Sequence, residues 1–250
     1  MSNRNAESFD CGVTRGASRA AFIARLLLPQ RCELCVARTD GDLVCADCAR
    51  SLPRVSAACP VCALPSAMGT ACGTCLANSP PYAGTIAAFA YAFPVDRLLQ
   101  RIKYGGRITL AEWAGASLAA AVRGTLAGRI GPDRPDRVVA LPLTAARQRE
   151  RGFNQAREMA VRVARGTGLP LAAPLARIFA GPPQTALPWA ERRRNVRGAF
   201  AVHAPVHGAR IALVDDVMTT GATLGEAARA LLAAGAERVD CWVVARTLPR

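Results

Sequence analysis

Lysine is almost missing from this 250-residue chain: of its 32 basic residues, 31 are arginine and only Lys103 is lysine. Aromatic residues are sparse as well, at 5%, so platforms for stacking nucleobases are few. A long apolar run is also lacking near the start, where Ala20 to Leu28 is short and broken by Arg25. A spanning helix needs roughly 20 apolar residues, so no transmembrane segment is read there. No small-residue cleavage site follows that run, which argues against a signal peptide. The expectation is a cytoplasmic protein with no membrane insertion.

What the chain has in plenty is positive charge, +14 net. The excess is evenly spread, with 16 basic against 10 acidic residues over 1–140 and 16 against 8 over 141–250. In so alanine-rich a chain the arginine skew looks like coding bias as much as selection for a partner. A basic surface suits phosphorylated metabolites and nucleic acid alike, and does not choose between them. With 51% apolar residues and Gly and Pro dispersed along it, the chain folds. Its length allows one sizeable core plus a smaller module.

Eight of the ten cysteines form four Cys-x-x-Cys pairs: Cys32/Cys35, Cys45/Cys48, Cys59/Cys62 and Cys72/Cys75. Nine residues separate Cys35 from Cys45, and nine separate Cys62 from Cys72. Two thiolates three residues apart point from one tight turn at a single ion, and two such turns complete a closed tetrahedral Zn²⁺ site. Two structural zinc ions follow. Sequential pairing makes a double zinc ribbon, and a cross-braced arrangement stays open; a disulfide framework fits poorly with a reducing compartment. Cys241 lies in an apolar run and reads as a small buried residue.

Asn78-Ser79-Pro80-Pro81 punctuates the end of this module. We therefore expect a leader with a short helix over 1–30, the ribbons over 31–78, and a separate domain over 82–250. Within that domain the pattern predicts a strand or hairpin at 84–93 and helices at 95–102 and 110–126. A buried strand at 137–141, a helix at 154–165, a possible strand at 175–179 and a long Arg-rich loop at 180–198 follow. A strand at 210–214, a helix at 224–233 and a strand at 238–245 complete it. Strands alternating with helices argue for an α/β fold with a parallel sheet covered on both faces.

The segment Val214-Asp215-Asp216-Val217-Met218-Thr219-Thr220-Gly221-Ala222-Thr223 carries the most chemistry. A buried strand delivers two adjacent acids to the sheet edge where open α/β sheets bind ligands. The following helix N-terminus offers unpaired N–H groups and partial positive charge to a phosphate. Gly221 permits close backbone approach, three threonine hydroxyls add donors, and the two carboxylates can accept hydrogen bonds from vicinal ribose hydroxyls. An ordinary strand and capped helix explains the Thr and Gly but not the paired acids.

This loop resembles the 5-phosphoribosyl 1-pyrophosphate signature of type I phosphoribosyltransferases. The rest of the chain resembles one branch of that superfamily, the competence protein F (ComF) family, through the cysteine pairs and three further motifs. These are Lys103-Tyr104-Gly105-Gly106, Arg147-x-Arg149-x-Arg151-Gly152-Phe153-Asn154-Gln155, and Gln184-Thr185-x-Leu187 leading to Glu191-Arg192-x-x-Asn195-Val196. The resemblance implies a double zinc ribbon joined to a phosphoribosyltransferase domain that binds phosphoribosyl pyrophosphate with Mg²⁺. Asp215, Asp216 and Arg192 are then the catalytic candidates, with Asp215 to Thr223 holding the ligand. Lys103, Arg147, Arg149, Arg151, Asn154, Gln155 and Asn195 are candidates for pyrophosphate or the second substrate. Leu187-Pro188-Trp189 departs from the Leu-Ser common before the Glu-Arg pair, which leaves the roles of that loop open.

Simpler readings compete: Asn154 as a helix cap, the arginines as a solvated face, Lys103 as a charge at a helix end. The acceptor substrate is not legible. The family's association with DNA uptake gives the alternative of a protein that binds single-stranded DNA, with the loop serving ligand binding rather than turnover. A third possibility is a scaffold whose ribbons recruit a protein of the competence machinery.

Overall fold

The computed structural model describes residues 30–39, 41–127, 134–178 and 197–249. The expected leader helix and the loop segment holding Arg192 and Asn195 lie outside these residues. The chain divides into two compact units, one ending at Ala49 and one beginning at Arg50. The second cysteine cluster therefore shares a unit with the sheet.

In the first unit a minimal antiparallel pair, β1 (Gln30–Arg31) and β2 (Arg38–Thr39), frames the turn that holds Cys32 and Cys35. Helix α1 (Ala46–Ser51) follows, and Cys48 lies in it.

The second unit opens with the other cysteine turns, a single 3-10 turn at Ala67–Gly69 and a one-turn helix α2 (Gly73–Ala77). Then come β3 (Gly84–Ala90), α3 (Val95–Gly105), α4 (Ile108–Leu126), β4 (Arg137–Ala140), α5 (Ala145–Arg151) and α6 (Gln155–Thr167). After these follow β5 (Leu171–Ala172), β6 (Leu175–Arg177), β7 (Phe200–Val202), β8 (Arg210–Met218), α7 (Ala222–Ala233) and β9 (Arg238–Arg246). Five strands form one sheet in the order β3-β9-β8-β4-β5, every neighbour parallel. The two central strands read as continuous apolar runs because both their faces are covered. Ile211 to Val214 and Val239 to Ala245 are buried almost without exception.

Helices α4 and α6 cover one face, and α7 covers the other. Gly115 lets α4 and α6 approach closely, since a Cβ there would stand 2.7 Å from the Met159 carbonyl. On the opposite face Leu224, Ala227 and Leu231 of α7 meet Ile211, Leu213, Val239 and Cys241. Cys241 is fully buried, as its apolar run suggests.

The segment read as strand or hairpin is a strand over Gly84–Ala90, because its partner is the distant β9 rather than a hairpin mate. Two differences from the sequence reading have physical causes. Strand β8 continues past Val214, since β9 is long enough to pair Asp215 with Val243 and Met218 with Arg246. Helix α5 is the second: no element was expected there, and Thr144 caps it by accepting from the Arg147 N–H at 3.3 Å. The antiparallel ribbon of β6 and β7 brackets the Arg-rich segment in sequence.

Candidate functional site

The sheet turns its C-terminal edge toward a cleft of about 320 Å³. Into it β8 delivers Asp215 and Asp216, followed by the turn through Thr219 into α7. Gly221 takes φ +77 there, a left-handed conformation that costs other residues about 1 kcal/mol or more. Thr220 Oγ1 accepts from the Ala222 N–H at 3.1 Å, tightening the entry to the helix. Gly221, Ala222, Thr223 and Leu224 line the cleft, so the first turn of α7 faces it. A larger open hollow of about 760 Å³ lies behind the same loop, lined by Thr220, Gly221, Glu226 and Arg229. It includes neither aspartate, and the smaller cleft is the chemical site.

The two carboxylates are not equivalent. Asp216 is buried, and its Oδ2 lies 2.7 Å from Lys103 Nζ. Burial works against its charge, but the Lys103 ammonium prevails and holds it below the usual carboxylate range. Burial likewise opposes the Lys103 charge, and Asp216 more than restores it. Asp215 is pushed well above the usual range, first by burial and then by the neighbouring Asp216 charge. Two adjacent acids thus titrate far apart, a common arrangement where carboxylates take different chemical roles.

Cationic groups face them. Helix α5 puts Arg147 and Arg151, four residues apart, on the cleft side, while Arg149 is exposed and does not line the cleft. Arg177 joins them from β6, lowered by burial and by the nearby Arg147 charge. Crowded guanidinium groups of this kind are relieved by an anion. Gln155, at the start of α6, is 3% exposed and lines the cleft, and its Oε1 has no hydrogen-bond partner among the described residues. Asn154 is committed elsewhere: its Oδ1 accepts from the Ala156 and Arg157 N–H groups, and its Nδ2 donates to the Leu141 carbonyl at 3.1 Å. Arg177 and Tyr91 also line the cleft and carried no signal in the sequence.

The cysteines gather as two sequential clusters, Cys32/Cys35/Cys45/Cys48 and Cys59/Cys62/Cys72/Cys75, whose sulfur atoms all lie within 4.8 Å of one another. Cys35 and Cys45 Sγ stand 3.7 Å apart, as do Cys62 and Cys72. That is the edge of a tetrahedron with Zn–S bonds of about 2.3 Å, namely ~3.8 Å, and far from a disulfide. Backbone N–H groups point at the sulfurs: Cys45 donates to Cys32 Sγ at 3.4 Å and Cys72 to Cys59 Sγ at 3.3 Å. Burial raises the Cys32 thiol, but the Cys35, Cys45 and Leu34 N–H groups outweigh it and bring the thiol down to about 6. The tetrahedral spacing of the sulfurs fits structural zinc, and the cross-braced pairing is not formed.

Comparison with known proteins agrees with this geometry. A family model described as a double zinc ribbon domain matches residues 23–76, and one described as a phosphoribosyl transferase domain matches residues 144–248. The DNA utilization protein YhgH of Salmonella typhimurium is 34% identical over 209 residues, covering 82% of this chain and 91% of that protein. Competence protein F of Haemophilus influenzae is 32% identical over 180 residues, covering 70% and 78%. Competence protein ComFC of Bacillus subtilis is 28% identical over 201 residues, covering 78% and 80%.

Proposed function

Because the chain belongs to the competence protein F (ComF) family, we propose that its sheet-edge cleft binds 5-phosphoribosyl 1-pyrophosphate together with Mg²⁺. One observation carries this reading: a single cleft gathers the paired carboxylates, a helix N-terminus and three arginines. Vicinal ribose hydroxyls are partners for Asp215 and Asp216. The 5-phosphate suits the Thr219–Thr223 turn, where N–H groups and the helix dipole favour an anion. The pyrophosphate suits Arg147, Arg151 and Arg177, whose planar forks match phosphate oxygens.

The donor set also fits Mg²⁺, which takes one or two carboxylates plus substrate phosphates and keeps several waters. Asp215 is the carboxylate available to it, since Asp216 is held by Lys103. When bound, the ion neutralises pyrophosphate charge. In a transfer reaction the C1–O bond to pyrophosphate loosens and positive charge builds on the ribose ring. The arginines then stabilise the leaving group, and the carboxylates hold the sugar in place. The acceptor is unassigned.

Calorimetry with phosphoribosyl pyrophosphate and Mg²⁺ tests the site: Asp215→Asn should abolish binding, and unchanged affinity ends the reading. Release of pyrophosphate in the presence of nucleobases, amines or single-stranded DNA tests turnover.

A second reading is favoured by the names of the relatives, and the +14 charge is compatible with it. Here the chain is a competence protein that binds single-stranded DNA, and the phosphoribosyl loop serves as a ligand site without turnover. Affinity for single strands should then fall steeply with salt, as phosphate contacts require, and survive Asp215→Asn. A cytoplasmic location belongs to the same proposal. Among the described residues no helix is long and apolar enough to cross a membrane, and the tetracysteine clusters need reduced thiols.

A further inference from the structure

One side chain ties the second zinc ribbon to the phosphate loop. Arg246, at the end of β9, is 4% exposed. Its Nε donates to the Cys62 carbonyl at 2.7 Å, and its Nη1 donates to the Met218 carbonyl at 2.9 Å and to that of Thr219. Cys62 belongs to the second tetracysteine cluster, and Met218 and Thr219 are where β8 becomes the ligand loop.

A buried guanidinium needs compensating charge and filled hydrogen bonds. Carbonyl oxygens take the bonds of Nε and Nη1 here, that of Thr247 at 3.0 Å included. The charge comes from the ribbon side, because four thiolates around a dication leave two net negative charges. The loop side follows from peptide geometry. In a planar trans peptide the C=O and N–H point oppositely, so carbonyls drawn back to Arg246, the Met218 carbonyl with help from the Thr247 N–H at 3.0 Å, leave the Thr219 and Thr220 N–H groups aimed away from it.

We propose that Arg246 is a positioning residue that couples zinc in the second cluster to ligand binding in the phosphate loop. The zinc-loaded ribbon fixes the guanidinium, and the guanidinium fixes the loop carbonyls. Linkage is reciprocal, so a bound ligand must also hold the zinc more firmly. The inference rests on the phosphoribosyl pyrophosphate reading of the loop.

The test follows zinc release from the full chain to a colorimetric chelator, with and without phosphoribosyl pyrophosphate and excess Mg²⁺. A variant carrying Cys35→Ser and Cys48→Ser, which keeps only the second cluster, assigns the two release phases. Ligand should slow release from the second cluster about fivefold or more, the lower end of usual coupling, and leave the first cluster unchanged. In Arg246→Gln calorimetric affinity should fall and zinc release should stop responding to ligand. Arg246→Lys should restore some zinc retention through its charge but not the response, because an ammonium lacks the fork. If the wild type binds ligand while second-cluster release is unresponsive, or both clusters are protected alike, the coupling is overturned and the binding reading stands. If the wild type binds no ligand, both fall. If Arg246→Gln folds and still responds, Arg246 is not the link; if it does not fold, the wild-type measurement decides.

Discussion

The Tyr82 hydroxyl stands where a side chain on Gly221 would have to go, 2.7 Å from the position of a Cβ there. Tyr82 is itself buried, and its ring also packs near Gly225 one turn further along the helix. The linker after the second ribbon therefore presses on the ligand loop from behind.

Gly221→Ala should meet two penalties, the left-handed backbone and this contact. Affinity for phosphoribosyl pyrophosphate should fall about tenfold or more, since each ~1.4 kcal/mol is a factor of ten. Adding Tyr82→Phe removes the hydroxyl but leaves the backbone cost, so recovery should be partial. Full recovery would show that conformation at residue 221 is irrelevant. Calorimetry of the three proteins decides.

Lys103→Met should destabilise the fold at pH 7 by about 3 kcal/mol, because it leaves a buried carboxylate without its counter-charge. The pH dependence follows from the directions of the two shifts. Asp216 lies below its ordinary value, so its contribution is present above that value and is lost as pH falls through the depressed one. Lys103 lies above its ordinary value, so its contribution is present below that value and lost as pH rises through the raised one. The gap between wild type and variant should thus be widest near neutrality and shrink in acid, where the orphaned Asp216 simply takes up a proton. Urea unfolding at pH 7 and about pH 3 reads this difference.

The three arginines of helix α5 should separate into two kinds. Arg147→Ala and Arg151→Ala should each weaken phosphoribosyl pyrophosphate binding about tenfold, as expected for a charged hydrogen bond of ~1.5 kcal/mol or more. Arg149→Ala, on the exposed side, should leave affinity within error. An equal loss from all three would mean that general charge, not position, draws the ligand.

Elemental analysis should find about two zinc ions per chain, as two tetracysteine sites require. Cys72→Ser should remove one of them and also lower the main thermal transition. The second ribbon is joined to the sheet by Thr85, whose N–H donates to the Pro60 carbonyl at 2.9 Å and whose hydroxyl donates to that of Val61 at 2.7 Å. Loss of zinc with an unchanged transition would separate the ribbon from domain stability.

Where a motif is written in consecutive residues, its place in the fold is legible in advance. The stretch Asp215 to Thr223, a strand end running into a helix N-terminus, is one such case, and the cysteine spacing is another, because each turn of chain supplies its own sulfurs. Helix α5 escaped because its seven residues bury nothing, so no apolar rhythm marks it; only the folded chain shows that Arg147 and Arg151 share a side. Arg177, Arg246 and the Lys103–Asp216 pair are tertiary facts. Arg246 and Cys62 are 184 positions apart, and one arginine among 31 gives no local sign of its partner. Asn154 was legible as a cap and as a site candidate, and the fold gives it the cap.

The scarcity of lysine gives the cleft one more property. Acylating reagents that seek ε-amines have a single target in this chain, and its side chain is 23% exposed at the mouth of the ligand site. Asp216 holds that amine as an ammonium, which has no lone pair to attack an acyl group, so a change in labelling at that one address reports a change in the Lys103–Asp216 pair without any engineered handle.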